Sequence, residues 1–143
     1  MSEDRYRLQR FVDAQEDAAI YARALGELRA GEKRGHWIWF VFPQIAGLGF
    51  SPISQAYAIG SLEEARAYLA HPVLGPRLHE CAAALLTTDP SLSAERILGG
   101  IDALKLRSSM TLFTRAAPDD ELFPAVLERF YEGAPDPETD RRL

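Results

Sequence analysis

The chain has 143 residues and a mass of 15.9 kDa, the length of one domain with little room for a second. Hydrophobic residues make up 47% and charged residues 26%, which excludes a disordered, collagen-like or coiled-coil chain. The net charge of −5 and pI near 5.2 weigh against broad nucleic-acid binding, which needs a basic footprint, but leave room for a local basic pocket.

A single cysteine, Cys81, excludes an internal disulfide and any multi-thiolate metal site. The N-terminal Met-Ser-Glu-Asp-Arg is charged and no apolar run of signal length follows it. The longest apolar run, Trp37 to Phe42, is far too short for a membrane span. A cytoplasmic protein without membrane contact is expected, folded as one helical domain over residues 1–143, with 1–5 and 138–143 as frayed ends.

Taken along the chain, the pattern is helical. Leu8, Phe11 and Val12, then Ile20, Tyr21, Ala24, Leu25 and Leu28, fall on helical faces, and Gly31 is a natural stop. Whether Asp13 to Glu16 divides this stretch stays open. Trp37-Ile38-Trp39-Phe40-Val41-Phe42 would read in isolation as a buried strand. Nothing else alternates at period two, and a lone strand has no ladder partner, so a short buried helix ended by Pro43 is expected. Gly47 to Tyr57 reads as a loop carrying Ser51, Ser54 and Tyr57.

Ser61 and Glu64 form a capping box for a helix that must yield before Pro72. Pro76 lies near the start of the next helix, whose stripe is Leu78, Cys81, Ala82, Leu85 and Leu86. Ser93 caps a short turn through Leu98, closed by Gly99 and Gly100. Ile101 to Arg115 is apolar on two faces, with Ile101 and Leu104 on one and Leu106, Met110 and Phe113 on another, which marks a central helix. A turn at Pro118-Asp119-Asp120 leads to the amphipathic stretch Leu122 to Tyr131, ended by Gly133. Asp136-Pro137 opens a last short turn. The fold class expected is an all-α bundle of about six to eight helices with no significant sheet.

Standard catalytic signatures are missing. Gly47-Leu48-Gly49 begins a dinucleotide fingerprint but ends in Pro52, and His79-Glu80 lacks a zincin's second histidine. His71 and His79 flank Pro72 to Pro76, which gives neither the count nor the geometry of a metal site, and none is expected. Cys81 lies on an apolar stripe and is expected to be buried and inert.

The informative stretch is Lys33 to Gln44. Cationic Lys33, Arg34 and His36 meet Trp37, Trp39 and the donor-acceptor Gln44, the ingredients of a pocket for a planar anion as well as of an ordinary core. His36 can titrate near neutral pH where a basic turn enters an apolar wall. Further on, Asp102, Lys105 and Ser109 make a polar helical stripe, while Ser108 falls with Ile101 and Leu104. Adjacent serines are poor helix formers, so they either bond across the core or line a pocket.

These segments carry a resemblance. Arg10-Phe-Val-x-Ala-Gln15, Lys33-x-x-His36-Trp-x-Trp39-Phe-x-Phe-Pro-Gln44 and Gly47-Leu-Gly-x-Ser51 are similar to the bacterial family catalogued as domain of unknown function 1810, sometimes labelled calpastatin-like. So are His71-Pro-x-Leu-Gly-x-Arg77-Leu and Asp102-x-x-Lys105-Leu-x-Ser108-Ser109-Met-Thr-Leu-Phe113. The resemblance implies an all-α fold over nearly the whole chain and no established activity. The order of an Ala-Gln helix, a tryptophan segment and a Pro-x-Leu-Gly helix also resembles NADAR-type proteins, which process ADP-ribose derivatives, though their acidic motifs do not align.

The expectation that follows is a pocket for a small anionic ligand, a nucleotide among the options. Lys33, Lys105 and His36 would face the anion, with Trp37 or Trp39 stacking and Gln44, Ser51, Ser108 and Ser109 orienting. Any acid-base role would fall to His36; no cofactor is expected, and enzymatic activity is left open. The alternatives are a non-catalytic protein-interaction module with an apolar patch from Phe50, Pro52 and Ile53, and an ADP-ribose-processing hydrolase. Nucleic-acid binding through Lys33-Arg34 and Arg77 is disfavoured by the acidic balance.

Overall fold

The apolar periodicity resolves into helices in the computed structural model, which describes residues 4–143. They are α1 (Gln9–Glu16), a 3-10 turn (Asp17–Ala19), α2 (Ile20–Ala30), α3 (Ile38–Val41), α4 (Pro52–Ala56), α5 (Leu62–Ala70) and α6 (Leu74–Leu86). Then follow α7 (Ala94–Leu98), α8 (Gly100–Ala116), α9 (Leu122–Tyr131) and α10 (Pro137–Arg141). Among the described residues the extended backbone is limited to an isolated parallel bridge between Ile45 and Ile59. The fold is all-α, and no described helix is long and apolar enough to cross a membrane.

Local chemistry starts these helices where short polar side chains can accept their free amides. Ser51, Ser61, Ser93 and Asp136 cap α4, α5, α7 and α10 in this way. The Ser61 box closes one residue early. The Glu64 carboxylate accepts the Gly60 N–H at 2.9 Å and pairs with Arg10 at 3.0 Å, tying α5 to α1. The division left open after Leu8 falls at the 3-10 turn, where Ala18 and Ala19 take left-handed φ of 51° and 56°.

Helix α8 is central: α3, α5, α7, α9 and α10 all pack on it. It buries Ala103, Leu106, Met110 and Phe113 on the inner face. The second apolar face behaves differently from the sequence expectation, since Ile101 and Leu104 are 74% and 65% exposed. That face is covered only from Ser108 onward, where Asp136 bonds Ser108 and Thr111 and α10 lies across it. The first turns project beyond the cover. The C-terminal turn, expected to fray, is docked: Thr139 is fully buried and Asp140 pairs with Arg115 at 2.8 Å. Cys81 is buried as expected, and burial pushes its thiol up to about 12.

Helices α5 and α6 meet at Gly75. A Cβ there would stand 2.1 Å from the Leu69 carbonyl oxygen, so only glycine permits the approach. Gly75→Ala should therefore destabilise by about 1–3 kcal/mol despite alanine's better helix propensity. Thermal unfolding checks this, and an unchanged or raised Tm would contradict the packing.

His79 on α6 ties this pair to the turn before α9. Its Nδ1 meets the Gly75 carbonyl at 2.9 Å and its Nε2 meets Asp120 at 2.5 Å. Burial works against the charged ring, but the Asp120 carboxylate and the Gly75 carbonyl outweigh it and raise the His79 pKa above the usual 6.5. The Asp120 carboxyl is held below its ordinary value despite burial. The contribution of the pair is thus full below the unfolded histidine pKa and lost as pH rises through the raised folded value. It is lost again in acid, as Asp120 protonates. The Tm difference between the parent and His79→Asn should be largest around pH 5–6 and shrink above neutrality. A pH-independent difference would show that the pair carries no charge coupling.

Candidate functional site

The tryptophan segment is fixed from both sides before any site is formed. From α1, the buried Gln15 amide donates to the Phe40 carbonyl at 2.7 Å, and its oxygen accepts from Arg77 of α6 at 3.1 Å. From α2, the Glu27 carboxylate accepts from the Arg34 and Gly35 amides and from the Trp37 indole, at 2.7, 2.9 and 2.8 Å. Partial burial opposes its charge, yet these bonds hold the Glu27 carboxyl below its ordinary value. Trp37 is thereby part of the core.

Trp39 points the other way. Its indole N–H donates to Ser54 at 3.2 Å, and Ser51 donates to the same Ser54 oxygen at 2.8 Å. With two incoming bonds, Ser54 retains its own hydroxyl proton to donate. It faces an inner chamber of about 110 Å³, lined by Ile38, Trp39, Gln44, Ser54, Tyr57 and Lys105 among others. That is somewhat smaller than an apolar cavity known to hold benzene, about 150 Å³. An outer groove of about 310 Å³ shares Gln44, Gly49 and Lys105 with the chamber and continues past Ile101, Leu104 and Ser108.

Lys105 stands at the junction of the two. Its ammonium lies 4.8 Å from the centre of the Trp39 ring, a cation–π distance. Its nearest carboxylate, Asp102, is 3.7 Å away and already pairs with Lys33 at 2.8 Å. The Lys33 side chain is only 7% exposed and also donates to the Gly35 carbonyl. Two ammonium groups thus share one carboxylate. Among the described residues Lys105 makes no hydrogen bond, and its side chain lines both the chamber and the groove.

The other groove charges are engaged. Arg107 donates to the Ala134 and Pro135 carbonyls, Asp136 accepts from Ser108 and Thr139, and Glu138 pairs with Arg141 and Arg142. Each of these groups makes hydrogen bonds, whereas Lys105 makes none among the described residues.

Of the residues expected from sequence, the structure brings Trp39, Gln44, Lys105 and Ser108 to one continuous space. Lys33 and Ser51 stand behind it, Lys33 through Asp102 and Ser51 through Ser54. Trp37 and Ser109 are buried, and the Ser109 hydroxyl has no partner. His36 is exposed and is not among the residues lining the chamber or groove. Arg34 pairs with Glu32, and Arg77 with Glu16 and Gln15. His71 accepts the Val73 and Leu74 amides at the start of α6. Among the described residues no three His, Cys, Asp or Glu side chains gather to hold a metal.

Ser54 and Tyr57, expected only as loop hydroxyls, line the chamber, and Asp102, expected only in the polar stripe of α8, stands beside Lys105. A signal for Ser54 was present: Ser51 before Pro52 has the form of an N-cap, which commits Ser51 to the backbone and leaves Ser54 for the pocket.

The arrangement is that of an all-α protein with an aromatic-lined chamber and an adjoining groove that share Lys105. The chain belongs to the family described as protein of unknown function DUF1810, whose model matches residues 5–143. It is similar to the conserved hypothetical protein Rv1873 from Mycobacterium tuberculosis, seen in a crystal structure at 1.38 Å, with 51% identity, 98% of each chain covered and a TM-score of 0.94. No curated protein matches the chain.

Asp102 should be the most sensitive polar residue here. Asp102→Asn leaves the nearly buried Lys33 ammonium without its counter-charge and should cost about 3–5 kcal/mol. Replacing both partners, as Lys33→Met with Asp102→Leu, should recover most of that loss. Chemical denaturation of the parent and the two variants measures it; a double variant no more stable than Asp102→Asn would contradict the ion-pair account.

Proposed function

We propose that this protein binds a small anion that carries a planar ring, with the charge on Lys105 and the ring in the inner chamber. One observation carries the reading: a partly buried ammonium, backed by a second lysine and held over Trp39, lines a cavity and makes no hydrogen bond among the described residues. Three N–H donors in such a setting are completed by a phosphate or carboxylate. Trp39 and Tyr57 offer ring faces and edges, and Gln44 and Ser54 offer directional polar contacts. Nucleotides fall within this class, as does the ADP-ribose suggested by the NADAR-like resemblance.

Thermal shift and calorimetry with inorganic phosphate, phenyl phosphate, AMP and ADP-ribose test it. Ring-bearing anions should raise the Tm, with a stabilisation of about 2.7 kcal/mol at a hundredfold excess over Kd. Lys105→Met should abolish the shift while leaving the unliganded protein within about 1 kcal/mol of the parent, since its ion pair is long and partly exposed. His36→Ala should retain it. A flat panel with folded protein would end this reading. The competing interaction-module reading draws on Phe50, which is 86% exposed, and predicts a concentration-dependent mass or a captured partner instead.

A further inference from the structure

The first turns of α8 and the loop before α4 leave three large apolar side chains in solvent: Phe50, Ile101 and Leu104, exposed by 86%, 74% and 65%. Among the described residues the other large hydrophobic exposed in this way is Leu143, at the chain end. Single exposed hydrophobics need no explanation, but a group of them beside a polar cavity does. Ile101 and Leu104 line the outer groove itself, and Phe50 directly follows Gly49, which lines both chamber and groove.

The sequence places polar and apolar groups here in a definite order. Lys105 lines both a chamber of about 110 Å³ that carries Trp39 and Tyr57 and a groove in which Leu48, Ile101 and Leu104 supply the aliphatic surface. Asp136 and Glu138, the carboxylates of that groove, are held by Ser108 and Thr139 and by Arg141 and Arg142. Neither pairs with Lys105, and the groove's second cation, Arg107, is turned onto the Ala134 and Pro135 carbonyls.

Resting on the proposed function above, we infer that the ligand is an amphipathic anion: a flat head in the chamber, a single charged group at Lys105, and an aliphatic tail along Ile101 and Leu104. Charge complementarity at Lys105 fixes the head-to-tail order. A ligand with a second charge or a sugar in the tail position would leave Ile101 and Leu104 facing polar groups and gain nothing from them.

The experiment uses phenyl phosphate and its methyl, butyl and hexyl diesters, titrated calorimetrically into the full chain. Burial of aliphatic carbon predicts up to about fourfold tighter binding per methylene where the tail lies on the wall. At least a tenfold gain from methyl to hexyl is therefore expected, and the double variant Ile101→Ser, Leu104→Ser should flatten the slope. Both residues are exposed, so folding is maintained, and the parent series tests the inference without any variant. If phenyl phosphate binds but the diesters show no dependence on chain length, the tail assignment fails and the lysine site stands. If no probe binds, the proposed function fails and this inference with it. A dimer in sedimentation that disappears in the double variant would assign the apolar wall to a second copy and overturn the tail assignment.

Discussion

The site depends on one shared carboxylate. Asp102 opens the inner end of α8, where a negative charge is favoured by the helix N-terminus, and there it meets Lys33 from the loop after α2. Lys33 also accepts the constraint of the backbone, since its own N–H donates to the Ile97 carbonyl at 2.7 Å. Through this contact the loop carrying both tryptophans is locked to the helix carrying Lys105 and Ser108. The same contact determines the electrostatics: Asp102 lies 2.8 Å from Lys33 and 3.7 Å from Lys105, so it neutralises the first and leaves the second for an incoming anion. The structure and the proposed recognition rest on one geometry.

The two tryptophans show how a short helix divides labour. In α3 the chain makes a single turn, and residues two apart on a helix face opposite ways. Trp37, just before it, turns inward and hydrogen-bonds Glu27; Trp39 turns outward over Lys105 and Ser54. Both stand in the same apolar run, and composition treats them alike. What separates them is tertiary: the Gln15 amide holding the Phe40 carbonyl and the Glu27 carboxylate holding the Trp37 indole set the rotation of the turn. Neither partner is near the segment in sequence.

The same distinction explains which parts of the protein could be read from the chain alone. Caps at Ser61, Ser93 and Asp136, the stop at Gly31 and the identity of α3 as helix are local matters, decided by hydrogen bonds within a few residues. The apolar stripe of α6 is nearly local, because period and angle suffice. Helix α8 is where local reasoning stops. Its periodicity places Ile101, Leu104 and Ser108 on a common face, but coverage of that face comes from Asp136 and α10, and it ends at Ser108. A serine is consequently buried and two aliphatic residues are exposed, the reverse of their intrinsic preferences. His36 marks a related boundary. Its chemistry made it a candidate, whereas the loop pinned on Glu27 presents it to solvent away from the groove, and Ser54 occupies the polar position the pocket uses.

The chain's acidic balance then acts as a selector on what reaches Lys105. At physiological ionic strength the screening length is about 8 Å, so a small anion at the groove responds to nearby groups and only weakly to the distant net charge of −5. Among the nearby groups, Glu138 is compensated by Arg141 and Arg142, while Asp136 and Arg107, of opposite sign, bond only neutral groups in the same groove. An extended polyanion is in a different position. It would cover many screening lengths of an acidic surface, gaining one lysine while approaching many carboxylates, and Arg34 and Arg77 offer it little because each is already paired with glutamate. A low-charge molecule short enough to be contained by the chamber and groove experiences the attraction without the repulsion. For the proposed ligand, the electrostatics at Lys105 and the aliphatic surface of α8 therefore favour the same character, an anionic group on a molecule that is otherwise largely uncharged.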